Sequence, residues 1–208
     1  MFTNKVVFFD FDGVIKESNE VKSEAFINLF ANSENNLTKR ILDHHLSNIG
    51  MSRYEKIPIY LEWSGLATNI KLIEEYEKKF SQIVKEGVIN SKWVPGVQKF
   101  LSKKKNEQLF FLVTATPQSE IEEILNTINI RIFFDDVVGS PMKKSKAIKI
   151  LLSTYSINSS NSVMIGDSKT DYEAAVYNSV PFILRRTSIN INLQNSLNCR
   201  MIDDFLYE

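Results

Sequence analysis

Apolar residues follow two patterns along this chain. Short unbroken runs occur at KVVFF (5–9), LFFLV (109–113), IFF with VV (132–138), VMI (163–165) and PFIL (181–184). Runs this short, rich in β-branched and aromatic residues and without polar alternation, predict strands buried on both faces. Between the later runs the spacing becomes helical. Ile121, Ile124, Leu125 and Ile128 recur at threes and fours, with Thr116 as the expected N-cap and Pro117 at the first helical position. Ala147, Ile148, Leu151 and Leu152 mark another stripe. Strands alternating with helices predict an α/β fold, a doubly wound parallel sheet with helices on both faces.

Between residues 17 and 92 the alternation stops. Ala25, Phe26, Leu29 and Phe30 form one helical stripe, and Ile70, Ile73, Phe80 and Val84 form a longer one. Leu37 to Leu46 and Tyr54 to Trp63 complete a stretch without a buried-strand pattern. At WVPGVQKFL (93–101) the chain returns to the sheet, with Pro95 near a helix start. The expected organisation is an α/β core from 1–16 and 93–208, with an α-helical module inserted at 17–92. A length of 208 residues suits one core with one large insertion.

The first four predicted strands of the core deliver polar residues just past their carboxyl ends, where open α/β sheets bind ligands. Asp10 and Asp12 follow the first strand, Thr114 the second, Lys143 and Lys144 the third, and Asp167 the fourth, with Asp171 four residues later. Burying unpaired carboxylates is costly, so these acids call for water or a cation. Oxygen ligands suit Mg²⁺, which keeps room for waters and a phosphate oxygen. A hydroxyl, a lysine and backbone N–H groups at Phe11 to Gly13 would neutralise the rest of a phosphate. Asp171 is either a cation ligand or an acid in the first turn of a helix.

Composition narrows the class further. Lys plus Arg equals Asp plus Glu at 25 each, which argues against a general nucleic-acid binder. Cys199 is the single cysteine, so no intrachain disulfide forms and a cytoplasmic setting is expected. Apolar runs fall well short of the roughly 18 residues of a membrane span, and no signal-peptide pattern precedes the first strand. The adjacent His44 and His45 lack the further Cys or His ligands of a zinc site and read as cap packing.

Four motifs in order, DFDGV (10–14), LVTAT (112–116), GSPMKK (139–144) and GDSKTD (166–171), resemble those of the haloacid dehalogenase-like superfamily. The insertion resembles the helical cap of its β-phosphoglucomutase and phosphoglycolate phosphatase group. The resemblance implies a Mg²⁺-dependent phosphatase acting on a small phosphorylated metabolite, as a monomer or homodimer. Asp10 would be the nucleophile and Asp12 the general acid and base, a role calling for a pKa above the free value. Thr114 and Lys144 would stabilise the transferring group, Lys144 being preferred to Lys143 for its spacing from Pro141. Phe11, Gly13 and Ala115 would bind substrate, and NIGMSRYEKI (48–57) would bring Arg53 to the site to read an anion. The metal would be held by Asp10, Asp167 and the Asp12 backbone carbonyl, with Asp171 ligating it or orienting a bound water. A phosphomutase is the alternative, although Lys22 stands where that mutase's hinge histidine is expected. A receiver-like phosphate-binding module is disfavoured by the DxDG spacing and the long insertion.

Overall fold

The apolar run at the start of the chain becomes β1 (Val6–Phe9), the strand about which the sheet is organised. The computed structural model describes residues 5–31, 35–104 and 107–207. Among them, β2 (Leu109–Pro117) and β3 (Asp136–Ser140) lie to one side of β1. On the other side lie β4 (Ser162–Gly166), β5 (Phe182–Arg185) and β6 (Arg200–Ile202). All pairings are parallel and the order is β3-β2-β1-β4-β5-β6. The direction of winding therefore reverses between β1 and β4, the topological switch point of a doubly wound sheet.

Because β1 is covered on both sides, its four residues divide between two apolar layers. Val7 and Phe9 pack with Val97, Phe100, Ile121 and Leu125, on α5 (Val97–Ser102) and α6 (Gln118–Thr127). Val6 and Phe8 pack with Ala147, Ile148, Ala174 and Ala175, on α7 (Lys144–Thr154) and α8 (Lys169–Tyr177). Phe9 is fully buried and meets the rings of Phe100, Phe110 and Phe134 edge-on, at 6.1, 5.1 and 6.0 Å.

Two boundaries and one strand differ from the sequence expectation. Residues 131–133 form a 3-10 turn, and the strand begins only at Asp136. Thr116 is not a helix cap: β2 continues to Pro117, which takes the N-cap position of α6. The edge strand β6 was not expected, since RMI carries too few apolar residues to stand out.

Between β1 and α5 the chain forms α1 (Asn19–Leu29), α2 (Asn35–Ser47), α3 (Arg53–Trp63) and α4 (Ile70–Asn90). Their core is largely aromatic, with Phe26, Phe30, Tyr60 and Phe80 all buried. The two chain segments that join this insertion to the sheet pair with each other. Glu17 N–H donates to Lys92 O at 2.8 Å, and Val94 N–H to Ile15 O at 3.1 Å. The Lys16 ammonium lies over Trp93 and donates to Ile89 O at 3.0 Å, closing this two-stranded connection.

A buried ion pair fastens the insertion to the sheet from above. Arg53 on α3 meets Glu120 on α6 in bidentate fashion, at 2.9 and 2.5 Å. Ser81 on α4 accepts from Arg53 at 2.5 Å and donates to Glu120 at 2.6 Å. Both charged side chains are under one-tenth exposed, so removing either leaves the other buried without its counter-charge. Arg53→Ala should cost about 3–5 kcal/mol, measured by urea denaturation, and Glu120→Gln introduced into that variant should recover part of the loss.

Candidate active site

Strand register brings the site residues to one level. Val6 lies beside both Leu109 and Ser162, so Phe9, Leu112 and Ile165 are aligned across three strands. Asp10 follows Phe9 directly, while Thr114 and Asp167 stand two residues beyond Leu112 and Ile165. These acids therefore flank the switch point between β1 and β4.

After Asp10 the chain turns sharply. The Phe11 carbonyl accepts from Ile15 N–H at 2.8 Å and from Lys16 N–H at 3.2 Å, while the Phe11 ring is buried in the core. Gly13 has φ +71°, and a Cβ there would lie 2.1 Å from Asp167 Oδ2. Only glycine allows this turn to approach the acid on the neighbouring strand.

Asp10, Asp167 and Asp171 each offer an oxygen within 4.8 Å of the others, and all three are buried. Lys144 enters from the start of α7, 2.9 Å from Asp10 Oδ2 and 2.6 Å from Asp171 Oδ1. It is this lysine that reaches the acids, and Lys143 is exposed. Asp171 is the third residue of α8 and forms a capping box with Ser168, whose backbone N–H and hydroxyl donate to Asp171 Oδ2 at 3.1 and 2.5 Å. Asn19 donates to Asp167 Oδ2 at 2.6 Å, and Asn190 holds the Asp167 carbonyl at 2.7 Å. The other oxygens, Asp10 Oδ1 and Asp167 Oδ1, are buried without a hydrogen-bond partner among the described residues.

Three carboxylates against one ammonium leave two negative charges uncompensated. Burial, aided by the Asp171 charge and opposed by Lys144, raises the Asp10 carboxyl from 3.8 to about 7. Burial and then the Asp10 charge raise Asp167 as well. Burial would lower Lys144, but the acids beside it outweigh burial and hold it protonated. Two orphaned carboxylate oxygens, a charge deficit of two and an all-oxygen donor set fit a hard divalent cation.

Asp12 belongs to a different network. Its Oδ1 accepts from the Ser18 hydroxyl at 2.6 Å, and its Oδ2 accepts from the Lys22 ammonium. Lys22 also donates to Thr116 Oγ1 at 2.9 Å. Burial pushes Asp12 up, but the Lys22 charge and the hydrogen bonds from Lys22 and Ser18 outweigh it, so its pKa is lowered. The raised pKa expected for a general acid is therefore not found while Lys22 is in contact. Ser18 is the N-cap of α1, yet it makes no side-chain cap bond, because its hydroxyl is donated to Asp12.

Ser18, Asn19, Lys22, Thr116 and Glu120 were not among the expected site residues. A Ser-Asn pair opening a helix six residues after Asp12 was the available signal, but it reads first as ordinary capping. Of the expected substrate-binding residues, Ala115 and Arg53 line a common cavity with Asp10, Asp12, Lys22 and Lys56. The Arg53 guanidinium, however, is already satisfied by Glu120 and Ser81. Thr114 is buried at the rim, and its hydroxyl accepts from Thr116 N–H at 3.2 Å. Gly50, in the loop before α3, packs so closely on the opposite rim that a Cβ would lie 2.0 Å from Thr170 Oγ1. The cavity itself is about 40 Å³, room for a water or two.

Comparison with known proteins agrees with this fold. A curated relative, the phosphorylated carbohydrates phosphatase of Thermotoga maritima, is 27% identical over 182 residues, covering 82% of this chain and 80% of that protein. CbbY from Rhodobacter sphaeroides, solved in complex with phosphate, superposes with a TM-score of 0.77 at 16% identity, covering 99% of this chain and 96% of that one. A mutant of the same protein with xylulose-(1,5)bisphosphate gives 0.78 at 15% identity, with the same two coverages. The model of the haloacid dehalogenase-like hydrolases matches residues 7–184, from the first strand through the fifth, and the chain belongs to that family.

Proposed function

We propose that this chain is a Mg²⁺-dependent phosphatase of small phosphorylated carbohydrates that works through an aspartyl-phosphate at Asp10. The observation that carries the reading is the Asp10 carboxylate itself. One oxygen is held by Lys144 and the other is buried without a partner, at the mouth of the sheet's switch point. The curated relative acts, by its name, on phosphorylated carbohydrates, and the family match places this chain among hydrolases.

In the first half-reaction an Asp10 oxygen attacks phosphorus and the ester P–O bond breaks. Asp12 gives its proton to the departing alkoxide. In the second, a water passes a proton to Asp12 and attacks the same phosphorus. The bond to Asp10 then breaks, releasing phosphate and restoring both acids. Lys144 and Thr114 stand at the rim to balance charge on the transferring group. Asp10, Asp167 and Asp171 would hold Mg²⁺, together with the Asp12 backbone carbonyl. When bound, the ion supplies positive charge against the phosphate oxygens.

Asp12 is held ionised by Lys22, and the cavity beneath the insertion is too small for a sugar phosphate. Both conditions change together when α1 carries Lys22 away from Asp12. Substrate entry then removes the charge that lowers Asp12 and leaves burial to raise it. Movement of the helical insertion is thereby tied to the protonation that the first half-reaction needs.

Phosphate release from a panel of sugar phosphates should require Mg²⁺ and stop with EDTA. Glucose 1-phosphate should yield free phosphate, whereas 6-phosphate accumulating in its place would identify a mutase. Asp10→Asn should reduce kcat on the order of 10⁴-fold or more without unfolding the protein. A second readout follows from charge. Ionising Asp10 works against the fold, a cost absent below its ordinary 3.8 and complete above about 7. In chelator, Asp10→Asn should therefore gain thermal stability over the native chain as pH rises through that window, and Mg²⁺ should narrow the gap.

A further inference from the structure

Three cations line the cavity that also holds Asp10 and Asp12, and two of them are already matched by acids. Lys22 pairs with Asp12, and Arg53 with Glu120. Lys56 is the third. It is 1% exposed, and among the described residues it has no ion pair. Among the described residues the ammonium's one hydrogen bond is to His45 Nδ1, at 2.9 Å. Glu55, its neighbour in sequence, is exposed. The walls around it are aromatic: the ammonium stands 5.6 Å from the Phe26 ring, which packs against Phe80 at 4.2 Å.

An unpaired lysine is a costly choice for a purely structural position. On α3, Arg53, Lys56, Ile57 and Tyr60 share one face, since the spacings of three and four superpose them. Leucine or methionine at residue 56 would fill that place without burying a charge. His45 cannot be the counter-charge. Burial, and then the Lys56 charge, push its ring far below the ordinary histidine range, so it is neutral. A charged Lys56 can only donate, so His45 Nδ1 accepts and the ring proton sits on Nε2. The Lys56 ammonium thus has three donors and one protein acceptor among the described residues. Burial and the Lys22 charge lower it to about 7, so an arriving anion would restore its full charge.

We propose that Lys56, backed by His45, is a second anion subsite, and that the substrate carries a further phosphate or carboxylate besides the phosphoryl group transferred to Asp10. The subsite rests on the phosphatase reading and narrows it to substrates with two anionic groups. Recognition of that second group falls to Lys56 rather than to Arg53, whose charge Glu120 already balances.

The test uses matched substrates that differ by one anion. Ribose 5-phosphate is compared with ribose 1,5-bisphosphate, and glucose 6-phosphate with 6-phosphogluconate. Native enzyme with Mg²⁺ should favour the two-anion member of at least one pair by about tenfold or more in kcat/KM. The favoured pair tells whether phosphate or carboxylate fills the subsite. Lys56→Met should remove most of that preference through KM, and Lys56→Arg should keep part of it. Circular dichroism confirms folding, with Lys56→Gln as substitute should the methionine variant fail to fold. Phosphate release with no preference in native enzyme, or an equal preference in the Lys56 variants, overturns the subsite alone. No release from any of the four compounds overturns the phosphatase reading and the subsite with it.

Discussion

Three buried carboxylates facing a single ammonium are the feature around which this sheet is built. Like charges this close repel one another and oppose folding, so the surrounding structure must hold them in place. It does so by specific means. Lys144 bridges Asp10 and Asp171, Ser168 fixes Asp171 through a helix cap, and Asn19 restrains Asp167. Glycine is required at two neighbouring points. A Cβ at Gly13 would strike Asp167, and one at Gly166 would lie 2.3 Å from the Asp171 Cβ. Packed apolar layers on both faces of β1 keep the strand ends from spreading apart.

That arrangement leaves two oxygens, on Asp10 and Asp167, without partners while every neighbouring oxygen is engaged. Native proteins seldom tolerate such atoms without a reason. Here the reason is local and chemical. The unpartnered oxygens are the ones a cation and a phosphoryl group would need, and they stand where a doubly wound sheet presents its ligands.

Much of the core could be read in the sequence because its signals are local. An apolar run ending in DFDG carries both the strand and the acids at its tip, and the same holds for VMIG followed by Asp167. Register then aligns those tips without further information. The edge strand β6 is not legible in the same way, since its three residues RMI are too short a run to carry a strand pattern. Thr116 was misread for a related reason: a threonine before proline suggests a helix cap, whereas parallel pairing of Pro117 with Ser140 holds the strand extended. The insertion was legible as helices but not as chemistry. Lys22 meeting Asp12 and Arg53 meeting Glu120 join residues from different helices and loops, and no periodicity encodes which charge finds which. Lys56 did leave a trace, a cation on the same helical face as Ile57 and Tyr60, but a long lysine at such a place often reaches solvent. Only its burial separates the two cases.

The contacts that seat the insertion on the sheet are drawn from the same groups that would carry the reaction, and this limits how the protein can work. Lys22 occupies Asp12, the acid proposed to protonate the leaving group, and Gly50 presses against Ser168 and Thr170 at the start of α8. Arg53 and Glu120, by contrast, satisfy each other with Ser81, and among the described residues no hydrogen bond or ion pair joins them to Asp10 or Asp12. In the proposed reaction the first two contacts would give way to contacts with a substrate, while the third is complete in itself. A ligand can displace Lys22 only by offering the cavity comparable charge and shape, so part of its binding energy is used in opening the site and is missing from apparent affinity. Discrimination then begins before chemistry, at the step where a molecule must compete with Asp12 for a lysine.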